Sequence, residues 1–152
     1  MSQRLPSRPA LSPEASLFIS LQKIADALGL EAEQLLKPHG LTGTQYNVLR
    51  ILRGAEPDGL PCSAIGERMI SHDPDMTRLL DRMEKRGLIS RARQTKDRRV
   101  VKTRITPAGL ALLKNLDQPV RRLHKRQFRH IPSARLKLLA ELLDEVRARV
   151  PE

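Results

Sequence analysis

Apolar residues recur along this chain mostly at the three- and four-residue spacing of amphipathic helices, interrupted once by a stretch that alternates. Leu17, Phe18, Leu21, Ile24, Ala25 and Leu28 form the first helical stripe. Ser12-Pro13-Glu14 ahead of it supplies an N-cap, a proline at the first helical position and an early acid. Gly29 is an expected interruption, Glu31 to Leu36 resumes the pattern, and Pro38-His39-Gly40 ends it. Thr42-Gly43-Thr44-Gln45 has the form of a capping box, followed by a short helix with Tyr46, Val48, Leu49 and Leu52 as its apolar positions. After a loop from Gly54 to Gly59, Leu60-Pro61-Cys62 predicts a very short strand. Ser63 is then expected to cap a short helix that turns Ile65, Met69 and Ile70 inward. Ser71-His72 makes a turn, and Asp73 is expected to cap the next helix with Pro74 at its first position. That helix carries Met76, Leu79, Leu80 and Met83 and stops at Gly87. Leu88 to Arg93 and Arg99 to Ile105 predict two strands, the second with Val101, Thr103 and Ile105 alternating with Lys102 and Arg104. Thr106-Pro107 opens a further helix with Leu110, Leu113, Leu116, Val120 and Leu123, which Pro119 is expected to kink or divide. Ile131-Pro132-Ser133 breaks the chain. The last helix places Leu136, Leu139, Leu143, Val146 and Val150 at near-heptad spacing.

Helix, helix, tight turn, helix and hairpin, in that order, predict a mainly α (α+β) fold: a winged helix-turn-helix with flanking N- and C-terminal dimerisation helices. The expected division is a flexible tail over 1–11, an N-terminal dimerisation helix over 12–40, a DNA-binding lobe over 41–106 and C-terminal dimerisation helices over 107–152. The outer helices carry longer apolar stripes than the covering of a three-helix lobe requires. Their simplest use is a homodimer interface; the bland alternative is packing on their own domain.

Charge sharpens this picture. The net charge is +11, which suggests an anionic partner, most simply double-stranded DNA. It is also uneven: from Pro74 to Thr106 eleven cations face four anions, leaving +7 of the +11 in one segment. Aromatic residues make up only 2% (Phe18, Phe128 and Tyr46). That weighs against an RNA-reading sheet or a single-strand groove, which use aromatic stacking platforms, and mildly against a stacking pocket for a planar ligand. The single cysteine, Cys62, excludes an intrachain disulfide and reads as a small buried residue. No apolar run approaches the roughly 18 residues of a membrane span, and the N-terminus lacks the apolar core of a signal peptide. No membrane partner and a cytoplasmic location follow as expectations. Paired carboxylates, a Ser/His/Asp set and a Gly-rich phosphate loop are all missing, so the chain is expected not to be an enzyme and to need no cofactor. His124 and His130 have no acid or thiol partner in their stretch and make no zinc site.

The candidate DNA-contacting residues follow from the helix and the hairpin. Asp75, Met76, Thr77 and Arg78 lie at the groove-facing end of the helix that follows the turn. Arg78 is the best candidate for a base edge, because a guanidinium can donate two bonds to guanine. Thr77 suits a base or a phosphate. Asp75 can accept from a cytosine amino group, although favouring the helix N-terminus is the preferred role. Arg82 either holds a phosphate or belongs, like Arg86, to a solvated face. Ser63 and His72 lie near the turn, within reach of the backbone. In the hairpin, Arg98 or Arg99 would enter a narrow minor groove, where the negative potential is deepest, with Lys96 and Lys102 serving phosphates. Arg121, Arg122, Lys125, Arg126 and Arg129 form a second basic run that either extends the DNA footprint or is a solvated face.

Four pieces together resemble the MarR family of transcriptional regulators. Leu41 to Leu49 is similar to the helix before its helix-turn-helix, and Thr77 to Ile89 to its recognition helix and the turn into the wing. Asp97-Arg98-Arg99 followed by Ile105-Thr106-Pro107-Ala108-Gly109 resembles its wing signature, with Ile105 where leucine is usual, and the order of the flanking helices also fits. The resemblance covers residues 13 to 149. It implies a homodimeric, sequence-specific regulator, a repressor whose two winged lobes grip a pseudo-palindromic operator; the alternative is a nonspecific architectural DNA-binding protein. It places Asp97 and Arg99 on the family's Asp-x-Arg, where Asp97 can hold an arginine and order the loop. It also adds a small-molecule effector to the expected partners, bound in a cleft between the dimer helices and the lobe, near His39 and Tyr46.

Overall fold

The computed structural model describes residues 11–93 and 99–149. Helix α1 spans Pro13–Leu36, with the Ser12 hydroxyl accepting from the Ala15 N–H. Gly29 does not interrupt it; a glycine inside a helix costs only about 1 kcal/mol against alanine, and long flanks on both sides carry it. A 3₁₀ turn, Lys37–His39, ends at Gly40 in the left-handed region (φ 68°). There the Gly40 N–H donates to the Lys37 carbonyl (2.9 Å) and the Leu41 N–H to that of Leu36 (3.3 Å), a Schellman closure. Helix α2, Gly43–Arg53, carries the full capping box, Thr42 and Gln45 each bonding the other's N–H at 3.2 Å.

Strand β1 is Leu60–Pro61, and helix α3 follows at once over Cys62–Glu67. Two expectations fail here. Ser63 is not a cap: Pro61, extended and paired as the end of β1, occupies that position and makes no side-chain bond, so the helix starts one residue before the serine. Ile70 does not face inward either; the helix has already ended, and Ile70 is 88% exposed with its N–H taken by the Asn47 carboxamide oxygen at 2.8 Å. Ile65 is fully buried and Met69 partly so.

Helix α4 is Met76–Lys85. Its cap is Asp75 rather than Asp73. The Asp73 carboxylate accepts from the Asp75 N–H (2.8 Å) in an Asx-type turn, which holds Pro74 outside the helix, and Asp75 then accepts from the Arg78 N–H (3.1 Å). At the other end Gly87 (φ 71°) closes α4 by a second Schellman pair, Gly87 N–H to Glu84 (2.8 Å) and Leu88 N–H to Met83 (3.1 Å). Strands β2, Ile89–Arg93, and β3, Val101–Ile105, are antiparallel, with Ile89 opposite Ile105 and Arg91 opposite Thr103. β1 joins the other side of β3, giving the order β1-β3-β2. Helix α5 runs over Pro107–Phe128 with Pro119 inside it, so of the expected kink or division it is the division that does not occur; Thr106 caps it through the Gly109 N–H (3.1 Å). Helix α6 is Ser133–Arg147.

The core lies between α2, α4, the sheet and the first half of α5: Val48, Leu49, Leu52, Ile65, Leu80, Met83, Ile89, Leu113 and Leu116 are almost wholly buried. The outer helices contribute little to it. Leu36 is the one buried residue of α1, and α6 has none. Phe18, Ile24 and Leu30 on α1 and Leu138, Leu139, Leu142 and Val146 on α6 are exposed.

Candidate DNA-binding interface

Helix α4 is sharply two-faced. Leu79, Leu80 and Met83 enter the core, while Thr77, Arg78, Arg82 and Lys85 face solvent. Arg78, at the third residue of the helix, has 74% of its side chain exposed, and its Nε lies 3.5 Å from Asp75 Oδ2. A pair so exposed is weak and readily exchanged for another acceptor. Asp75 is engaged as the cap. Met76 packs partly against the core. With Ser63, His72 and Asp73 it also lines an open groove of about 500 Å³ at the helix start, so the structure gathers Ser63, His72, Met76 and Arg78 around one end of α4. Lys102 sits apart on β3, opposite Ala92 and Pro61. Arg99 is exposed just before that strand. Lys96, Asp97 and Arg98 lie outside the described residues.

Three arginines that raise the segment's charge, or lie close to it, serve the fold instead. Arg91 on β2 is held by α4: its N–H donates to Glu84 Oε1 (3.0 Å), its Nε (2.9 Å) and Nη2 (2.7 Å) to Glu84 Oε2, and Nη2 also to Asp81 Oδ1. Arg86 donates to the Gly40 carbonyl (2.7 Å) and to Gln45 Oε1 (3.3 Å), tying the end of α4 to the turn before α2. Arg53 binds both carboxylate oxygens of Asp117 at 3.0 Å, joining α2 to α5. Sequence reasoning missed the Arg91 clasp. Its one signal was an acid pair three residues apart on α4, Asp81 and Glu84, with an arginine shortly after the turn.

The clasp makes stability depend on acid. Hydrogen bonds from the Arg91 side chain hold the Glu84 carboxyl below the usual carboxylate range, against an opposing push from burial. A depressed carboxyl stabilises the fold above its unfolded-state pKa of about 4.3, and that contribution is lost as the pH falls through the lower folded value. The melting temperature of Glu84→Gln should therefore fall below that of wild type at neutral pH, with the gap closing below about pH 4. Circular dichroism melts measure it, and a gap that persists undiminished in acid contradicts the assignment.

A cleft of about 430 Å³ opens between α1 and α2, with Ala25, Gly29, Ala32 and Leu36 forming an apolar floor. Glu33, Tyr46, Arg50, Ile70 and His124 also line it. Tyr46, Arg50 and His124 are shared with an adjoining groove of about 380 Å³ that adds Arg53, Asp117, Arg121 and Lys125. Burial raises the Tyr46 hydroxyl above the usual tyrosine range. Tyr46 thus lines the cleft, whereas His39 is exposed and is not among its lining residues. Of the second basic run, Arg126 pairs with Glu31 of α1 at 3.6 Å. Cys62 is a half-buried free thiol packed against the core. Among the described residues no group of three His, Cys, Asp or Glu could hold a metal, and no helix is long and apolar enough to cross a membrane.

The profile of the MarR family matches residues 41–101, from the turn before α2 into β3. The crystal structure of a MarR transcription factor from Planctomyces limnophilus is 37% identical in sequence, covering 91% of this chain and 98% of that one, with a TM-score of 0.67. The HTH-type transcriptional regulator TtmR of Methylorubrum extorquens is 35% identical over 70% of this chain; the chain spans 53% of that protein, about half its length. The homoprotocatechuate degradative operon repressor of Escherichia coli is 27% identical over 86% of both chains. The fold, the order of motifs and these relatives agree: the chain belongs to the MarR family of DNA-binding transcriptional regulators.

Proposed function

We propose that the protein is a homodimeric repressor that binds a pseudo-palindromic operator through two copies of α4 and the β2–β3 hairpin and is released by a small amphipathic effector. The observation that carries this reading is α4 itself: a helix whose solvent face opens on Arg78, free of the core and loosely held, beside a basic hairpin. Thr77 and Arg78 reach base edges in the major groove. Arg82, Ser63 and His72 meet the backbone. Arg99 and Lys102, with Lys96, Asp97 and Arg98, serve the hairpin's approach to the flanking minor groove. The unpartnered apolar faces of α1 and α6 support pairing of two subunits. That pairing makes 12–40 and 107–152 the dimerisation helices around a lobe over 41–106. The cleft's apolar lining, with the polar groups of Tyr46, Arg50 and Glu33 at hand, suits a small amphipathic effector. Repression is the direction of control named for the E. coli relative.

Arg78→Ala tests the reading. Losing one bidentate base contact is worth about 1–3 kcal/mol, so operator affinity should fall roughly ten- to a hundredfold per half-site, with base preference relaxed at one position in each. Half-sites should lie about one helical turn, roughly 10 base pairs, apart. Fluorescence anisotropy against the selected duplex and its single-base variants measures both. A variant that keeps wild-type affinity and preference removes Arg78 from the interface. A wild type that favours no duplex by about 10³ over random sequence is an architectural binder instead.

A further inference from the structure

The Arg91 clasp does more than stability requires. Its three side chains are 24% (Arg91), 45% (Asp81) and 38% (Glu84) exposed, and ion pairs this open to solvent contribute only a modest, acid-sensitive part of the folding free energy. Its geometry is nevertheless highly specific. Asp81 and Glu84, one turn apart on α4, converge on one guanidinium from β2. Only a planar fork with several donors can serve two carboxylates in this way. Glu84 also takes the Arg91 backbone N–H, on a strand that lies at the edge of the sheet. Helix and strand are joined covalently through Gly87, and Leu80 and Met83 seat the inner face of α4 in the core that also holds Ile89. The clasp adds a directional polar attachment on the more open side of the helix, where apolar packing alone leaves the angle between helix and strand less sharply set.

We propose that Arg91 is a positioning residue for DNA reading: by chelating Asp81 and Glu84 it holds α4 at one angle to the β2–β3 hairpin. The bases read by the helix and the stretch of duplex met by the hairpin then keep a single spacing. The same contact offsets one of the two negative charges that Asp81 and Glu84 place on the helix that approaches phosphate. This inference rests on the reading of the protein as a sequence-specific regulator.

The test uses the full chain as wild type, Arg91→Lys and Glu84→Gln, each offered a random duplex library, with sequencing of what is bound. Arg91→Lys keeps the charge but replaces the planar Nε/Nη2 fork with a single nitrogen on a flexible stem, and Glu84→Gln removes an acid without changing shape. Both are expected to melt cooperatively and to bind random duplex at least as well as wild type. Their preference for the wild-type duplex over random sequence should drop by about tenfold, the worth of one well-placed base contact. The gap between the helix-read bases and the flanking preference should spread over more than one length, which a loss of stability alone would not produce. If one variant fails to fold, the other decides. The proposal is overturned if wild type selects a motif and a folded variant returns the same motif with the same spacing and preference. If wild type selects no motif, it is the reading as a sequence-specific regulator that falls.

Discussion

Replacing Leu139 and Leu142 with glutamate is expected to yield a folded single subunit that no longer holds a full operator. Both residues lie on α6, a helix with no buried residue in the subunit, and they are 42% and 49% exposed. The substitutions therefore touch no part of the core formed by α2, α4, the sheet and α5, and the subunit should keep its melting transition. In a dimer whose faces meet at α6, each glutamate would instead be a charge taken out of water without a partner, a cost large enough to prevent association. A lone subunit can engage only one half-site. Losing the second, linked binding event removes about 10²- to 10⁴-fold of affinity. Sedimentation equilibrium gives the subunit number and anisotropy titration the affinity. A doubly substituted protein that remains dimeric places the interface elsewhere.

Gly109→Ala should destabilise the fold, although helix propensity alone argues the opposite. Alanine in a helix is favoured over glycine by about 1 kcal/mol. At Gly109, in the first turn of α5, an added Cβ would fall on the Leu88 carbonyl oxygen and lie 2.7 Å from Ile105 Cγ1. The Leu88 carbonyl is fixed: it accepts from the Thr106 N–H at 3.1 Å, and Leu88, just before β2, and Ile105, the last residue of β3, are themselves buried. Backbone cannot yield as a flexible side chain would, and overpacking of this kind costs about 1–3 kcal/mol. The steric term should win. The net loss is expected to lower the melting temperature by about 2–4 °C per kcal/mol in a domain of this size. A urea or thermal melt checks it; a stabilised Gly109→Ala protein would mean that α5 does not pack this closely on the hairpin base.

What the sequence could and could not reveal divides along the range of each interaction. The Thr42–Gln45 capping box, the stops at Gly40 and Gly87 and the Thr106 cap are closed within a few residues, and they read correctly from those residues alone. The cap of α4 is equally local yet misleading, because Asp73 and Asp75 compete on either side of Pro74, and the Asx turn made by the first hands the cap to the second. Ile70 continued a helical period that had already been cut short at Glu67. The roles of Arg86 and Arg91 depend on partners brought close by the fold, Gly40 and Gln45 for the one and Asp81 and Glu84 for the other. In a basic segment both looked like part of a field of positive charge. The cleft was less legible still: Ala25 reads as part of an apolar stripe and Gly29 as a break, and only the fold turns them, with Ala32, toward α2 as the small residues that line an open space.

Helix α5 is continuous from the end of β3 to Phe128, passing through Pro119 without a break. Its 22 residues make a strut about 33 Å long at 1.5 Å per residue. One end is rooted in the hairpin by Gly109, and the other leads directly to α6. A rotation of only about 6° at the far end swings the near end by roughly 3.4 Å, one step along a DNA strand. In the proposed dimer the strut would act as a mechanical amplifier, in which a rotation of a few degrees where subunits meet becomes a whole base-pair error at the double helix.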